Sequence, residues 1–226
     1  MGASLPTKML ERVKGYRLIN SKLPTIHLFE DVSSLEDFET LYALQELTNP
    51  RLNNEVGSLD YLSLDEVPWE IQGTSYAVAP FTHVAPDGSR FSNGDYGVFY
   101  IADTKETALS EVSYHWGRYV AGVEDLKFDR IVLRTLAVQF SGELADATAL
   151  ELSDPIYDKE DYADAQALGA KLRKNDSEGI QYWSVRNPGA TCWGLFTPRR
   201  VESVVQAGHY ELIISNRQIV DTAELV

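Results

Sequence analysis

Between Tyr96 and Val120 the sequence changes its period with only Asp103 and Thr104 at the join. "YGVFYIA" is a continuous apolar run, the pattern of a short strand buried on both faces. "KETALSEVSYHWGRYV" then brings Leu109, Val112 and Trp116 round at helical spacing, and Asp103 or Thr104 supplies the oxygen that caps a helix start. Glu111 falls on the stripe of Ala108, Val112 and His115, while ahead of the strand Arg90 sits in a Gly/Ser/Asn-rich turn beside Phe91. Two charges are thereby aimed inward from opposite ends of one strand-helix unit, where charge is costly unless something satisfies it.

The rest of the chain carries patterns of both kinds. "GYRLIN" and "KLPTIHLF" read as extended, Pro24 barring a helix in the second. Ser34 with Asp37 opens a helix predicted over Ser34–Leu47, with Leu35, Phe38, Leu41 and Tyr42 on its apolar face. A loop-rich stretch follows, and "TSYAVAPF" reads as a strand from its β-branched and aromatic content. "DRIVLRTLAVQF" is a long strand, Asp158 to Lys174 an amphipathic helix, and "GIQYWSVRNPGATCWGLFTP" two strands joined at Asn187-Pro188-Gly189. "YELIIS" closes with another strand. Strands grouped by short turns, with helices between groups, predict an α+β fold of mixed or antiparallel sheets with flanking helices.

At 226 residues, 44 % hydrophobic and 11 % aromatic, with no repeat or linker tract, the chain is expected to form a single compact domain over 1–226, with a helical and loop insertion at about 30–75. The formal charge of -14 disfavours nucleic acid, whose binding needs clustered cations. It also makes each inward arginine more informative, since an anionic ligand has to be held against the overall field. The single cysteine, Cys192, and four histidines without ligand-like spacing predict no disulfide and no metal. No signal sequence or apolar span is legible, so a cytoplasmic protein with no membrane partner is expected.

The order of these features resembles the RES domain, a family named for recurring Arg, Glu and Ser residues. The likeness is carried by "YRLI", by "GSRFS" followed by "GVFYIADTKETALSEVSYH", and by the late "GIQYWSVRNPG" and "CWGLFTP". Residue by residue it places the first arginine of the pattern on Arg17, the turn arginine on Arg90, the strand tyrosine on Tyr100, the glutamate on Glu111 and the serine on Ser184. Ser92 stands where many members have Asn, and the 30–75 segment is long for compact members. The resemblance implies an ADP-ribosyltransferase-like fold and a toxin that consumes NAD by cleaving its nicotinamide-ribose bond, through hydrolysis or phosphorolysis. It further implies an Xre-type antitoxin partner. The alternative within the family is an ADP-ribosyltransferase with a protein acceptor. Glu111, Arg90 and Ser184 are then catalytic, and Arg17, Arg90, Tyr100 and Ser184 bind NAD as substrate.

These residue types suit that chemistry. Arginine grips pyrophosphate oxygens with a planar fork. Loss of nicotinamide leaves positive charge on the ribose, as in glycoside cleavage, and a carboxylate stabilises it. The leaving group departs neutral and needs neither metal nor strong acid. Tyr100 offers a ring for stacking, and Ser184 a donor and acceptor for carboxamide or ribose. Taken singly, each residue has a plainer reading: a core tyrosine, a turn serine, a solvated glutamate. Their combination in order favours a site, with His115 and Arg186 in support. A second alternative, a non-catalytic nucleotide- or partner-binding domain, predicts binding without turnover. A nuclease is disfavoured by the charge and the lack of a His pair.

Overall fold

The computed structural model describes residues 5–22, 34, 36–38, 41–42 and 56–225. Among them one mixed sheet is built from β1 (Thr7–Asn20), β2 (Phe99–Ala102), β3 (Arg130–Asp146), β4 (Gly179–Trp183), β5 (Thr191–Leu195), β6 (Val201–Ser215) and β7 (Gln218–Leu225). The helices α1 (Thr74–Thr82), α2 (Lys105–Gly122) and α3 (Ala163–Lys174) accompany it. The fold is α+β.

The strands run in the order β1-β2-β5-β4-β3-β6-β7, and β1 also pairs with β3. Thr7 to Asn20 lies antiparallel to Ala145 to Leu133, while Tyr16 meets Ala102 on the other edge of β1. Five strands thus close into a ring, and β6 and β7 extend from it. Closure is possible because β3 is long: β6 pairs along Arg130 to Phe140, and beyond it β4 takes the same edge in parallel at Ala145 and Asp146.

Alternation along the strands sorts side chains into two apolar clusters. Leu136, Val138, Phe140 and Leu144 of β3 join Phe99, Ile101 and Leu195 in one, whereas Ile131, Leu133 and Ala145 join Leu18, Ala102, Tyr182 and Cys192 in the other. The even positions of β3 thus face one cluster and the odd positions the other, and the register shift against β6 at Thr135/Leu136 leaves that sorting unchanged because the extra residue lies in β6. Each fully buried Leu or Phe here contributes about 1.5–3 kcal/mol of transfer free energy. The second cluster packs against α2 and carries the cavity described below.

Several elements depart from the sequence reading. "TSYAVAPF" is helical: α1 starts after Gly73, held at φ 83°, and Thr74 Oγ1 donates to the carbonyls of Pro68 (2.9 Å) and Ile71 (3.0 Å). Burial of Thr74, Ser75, Ala77, Val78, Phe81 and Thr82 overrides the β propensity of the run, and the helix ends two residues past Pro80. The predicted helix over Asp158–Lys174 begins at Ala163, because the Asp158 side chain accepts the amides of Glu160 and Asp161 at 2.7 Å each and turns the chain. β1 and β3 run longer than the sequence pattern predicts, and β7 is a strand that the pattern does not predict. At Ser34 the cap is present, Oγ donating to Asp37 at 2.8 Å and accepting its amide at 3.2 Å, and 36–38 and 41–42 are helical. Phe38 packs on Trp69 with ring centroids 5.3 Å apart. The remainder of the predicted 34–47 helix, and "KLPTIHLF" from residue 23, lie outside the described residues.

Candidate active site

Tyr16 and Leu18 of β1, Tyr100 and Ala102 of β2, Tyr182 of β4 and Cys192 of β5 all occupy even positions and point to one side of the ring, where they floor a cavity of ≈ 750 Å³. α2 forms a wall. Its start is fixed by Thr104, whose side chain accepts the Thr107 amide at 3.1 Å, and Ala108, Glu111, Val112, His115 and Arg118 then line the cavity at one-turn intervals. Asp161, Tyr162 and Gln166 close the outer side.

Arg90 is delivered by the turn before β2. Gly88, at φ 76°, supplies a conformation that side-chain-bearing residues rarely adopt, and Phe91 behind Arg90 is fully buried against the Tyr182 ring at 4.8 Å. Ser92 Oγ donates to Tyr96 O at 2.6 Å and Tyr96 Oη donates to Phe91 O at 2.6 Å, so the serine braces the turn. α3 presses on the same turn: a Cβ on Gly169 would lie 2.1 Å from Phe91 O, and Gln166 Nε2 donates to Ser89 O at 3.1 Å. Arg90 is 7 % exposed. Its Nη1 donates to the carbonyls of Ile156 (3.0 Å) and Asp158 (2.9 Å), and its guanidinium lies 4.4 Å from the Tyr162 ring centroid. Arg90 also lines the cavity.

Arg17 donates from Nη1 to Tyr100 O at 3.1 Å and sits 5.3 Å from the Phe99 ring centroid. Desolvation lowers its pKa to about 10, partly offset by Tyr100 and Tyr182, and it remains cationic at neutral pH. The Tyr100 hydroxyl hydrogen-bonds Ser89 Oγ at 2.8 Å and accepts the Phe91 amide at 2.9 Å. Burial pushes it up to about 12, so it stays a neutral phenol that orients the Arg90 turn.

Ser184 lies behind Glu111 and is not among the cavity-lining residues. It is 2 % exposed, its Oγ donates to Glu111 Oε1 at 2.6 Å and accepts the amides of Arg186 (3.2 Å) and Asn187 (2.9 Å). Asn187 Nδ2 in turn donates to Thr107 Oγ1 at 2.9 Å, tying this turn to the first turn of α2. The cavity therefore brings together Arg17, Arg90, Tyr100 and Glu111, with Ser184 attached through Glu111.

The family model of the RES domain matches residues 67–215, about two thirds of the sequence. The chain belongs to the RES domain family. Arg90, Tyr100, Glu111 and Ser184 fall inside the RES match, whereas Arg17 reaches the same cavity from a strand outside it. Among curated proteins, the uncharacterized protein y4oC of Sinorhizobium fredii is 24 % identical over 204 residues, spanning 90 % of this chain and 84 % of that one. Among solved structures, one chain of the M. tuberculosis MbcT-MbcA toxin-antitoxin complex matches with a TM-score of 0.38 and 14 % identity, over 54 % of this chain and 73 % of that one.

Among the cavity residues that the sequence pattern does not single out are Arg118, Tyr182 and Cys192. Arg118 lies seven positions after Glu111, a spacing that returns to the same helix face, so the stripe itself pointed to it. Tyr182 and Cys192 lie in strands β4 and β5, where alternation marks a face without marking a cavity. Burial raises the pKa of both, with Glu111 nearby adding to it, so both stay protonated.

Proposed function

We propose that this cavity binds NAD and breaks the bond between nicotinamide and ribose, transferring the ADP-ribosyl group to water or phosphate. One observation carries the reading: two arginines, an aromatic floor and a serine-held carboxylate converge on one cavity of ≈ 750 Å³, within the usual range for small-molecule sites. Arg17 and Arg90, which both line the cavity, meet the pyrophosphate. Tyr100 and Tyr182 flank the planar base.

In the reaction the C–N bond breaks with both electrons going to the pyridinium nitrogen, so nicotinamide leaves neutral and positive charge grows on the ribose. Glu111 stabilises that charge. Ser184 holds one of its oxygens, which leaves the other to face the sugar or accept from a ribose hydroxyl. Addition of water and loss of its proton give ADP-ribose; phosphate in its place gives ADP-ribose phosphate. In the same reading the activity is that of a toxin, and an antitoxin restrains it by covering the cavity.

The test is incubation of the protein with NAD, with and without phosphate, followed by mass analysis of small molecules and protein. Free nicotinamide with ADP-ribose or its phosphate is expected, and Glu111→Gln should slow turnover about a hundredfold or more. A mass increase on protein would make it a transferase; binding without product would make it a non-catalytic domain.

A further inference from the structure

The segment Asp158–Tyr162 crosses the outer side of the cavity between the turn Pro155–Tyr157 and α3, and Asp158, Lys159, Glu160 and Asp161 are all exposed. Arginines grip it from two sides. From the cavity, Arg90 holds the carbonyls of Ile156 and Asp158. From the opposite side, Arg186 donates Nη2 to Lys159 O, places Nη1 3.9 Å from Glu160 Oε1, and lies 3.2 Å from the Tyr114 ring centroid. The Tyr114 hydroxyl completes the clasp by donating to Glu160 Oε2 at 2.7 Å.

The Arg186 side chain is only 10 % exposed and its Nε finds no acceptor among the described residues, whereas its carboxylate partner is 69 % exposed. Burying an arginine so incompletely paired costs free energy that a plain surface ion pair does not return. What it obtains for that cost is a fixed loop.

We propose that Arg186 is a positioning residue, a latch that keeps Asp158–Tyr162 folded across the cavity mouth and thereby holds Arg90 in its ligand-facing pose. The identity of the ligand rests on the NAD reading above; the latch does not. Arg186 reaches Ser184 only through its backbone amide, so truncating its side chain leaves the support of Glu111 in place.

Lys159 allows a test without any assay of turnover, because the carbonyl held by Arg186 belongs to the peptide bond that trypsin cuts. In limited digestion of the intact protein, Arg186→Ala should speed cleavage after Lys159 about tenfold or more, the population change expected when a charge-assisted hydrogen bond is lost. Cleavage after Lys127, whose side chain is 84 % exposed, serves as the reference and should not change. Arg186→Lys should fail to restore protection, since an ammonium cannot serve carbonyl, carboxylate and ring together. If Arg186→Ala loosens the whole molecule, Tyr114→Phe replaces it and should raise cleavage at Lys159 alone. With NAD as the probe, Arg186→Ala should raise KM several-fold with kcat within about twofold. Unchanged cleavage at Lys159 in both variants, or a fall in kcat at constant KM, overturns the latch. Absence of NAD turnover in the wild type strikes the proposed function instead, and the digestion still decides on Arg186.

Discussion

Ser184 Oγ donates to Glu111 Oε1 at 2.6 Å from a turn 73 positions away, and at the same time accepts two backbone amides. The serine is thus a clamp on the carboxylate. Ser184→Ala should lower kcat for NAD about tenfold with little change in KM, because the charge of Glu111 survives and its position does not. Two stranded amides should also cost about 1–3 kcal/mol of stability, readable in urea titration. Equal kcat in variant and wild type would remove the clamp.

Arg17 is charged in a desolvated place, its pKa lowered by burial. Arg17→Met keeps the stem volume and sheds the charge, so it should cost no more than about 0.5 kcal/mol of folding stability. Its KM for NAD should rise about tenfold. A large loss of stability with unchanged KM would make Arg17 a structural cation.

Cys192 borders the cavity, yet burial first, then Glu111 and Asp103, hold its thiol well above the usual range. Alkylation requires thiolate. Iodoacetamide at pH 8 should leave the folded protein unmodified for hours and label the unfolded chain in minutes, as read by mass spectrometry. Rapid labelling of the folded protein would place the thiol in contact with solvent.

His115 is held below its ordinary pKa by desolvation first, then by Arg186, Arg90 and Arg118. NMR titration should find it neutral at pH 7, and Arg186→Ala should raise its pKa. The folded value lies below the unfolded one, so the associated stability is present above the unfolded pKa and is lost as pH falls through the folded one. A His115 resonance titrating above the free-histidine value would contradict the arrangement.

Gly169 lets α3 touch the carbonyl of Phe91. Gly169→Ala should therefore destabilise by about 1–3 kcal/mol despite the better helix propensity of alanine, with KM for NAD raised as the Arg90 turn shifts. Calorimetry showing a stabilised variant would mean that the contact yields freely.

Much of the site was legible because its parts lie in short, strongly patterned segments. The Arg90 turn, the Tyr100 strand, the capped helix of Glu111 and the strand end at Ser184 each carry a local signal. What was not legible depends on distant partners. α1 looked like a strand because nine residues of apolar sequence do not reveal which burial they will meet. The start of α3 was misplaced because Asp158 gives its side chain to the backbone, and the carbonyls that would open a helix go to Arg90 and Arg186. The pattern around Ser184 does not reveal its partners, which the structure shows to be Glu111 and two backbone amides.

The ring of five strands also sets when the cavity comes into being. Thr7 to Asn20 has to find partners more than a hundred positions along the chain, and closures of that span are slow steps in folding. During synthesis Arg17 emerges first, Glu111 much later and Ser184 later still, so the charges remain apart in water until the ring shuts. A finished but unfolded chain carries every residue of the site and none of its geometry.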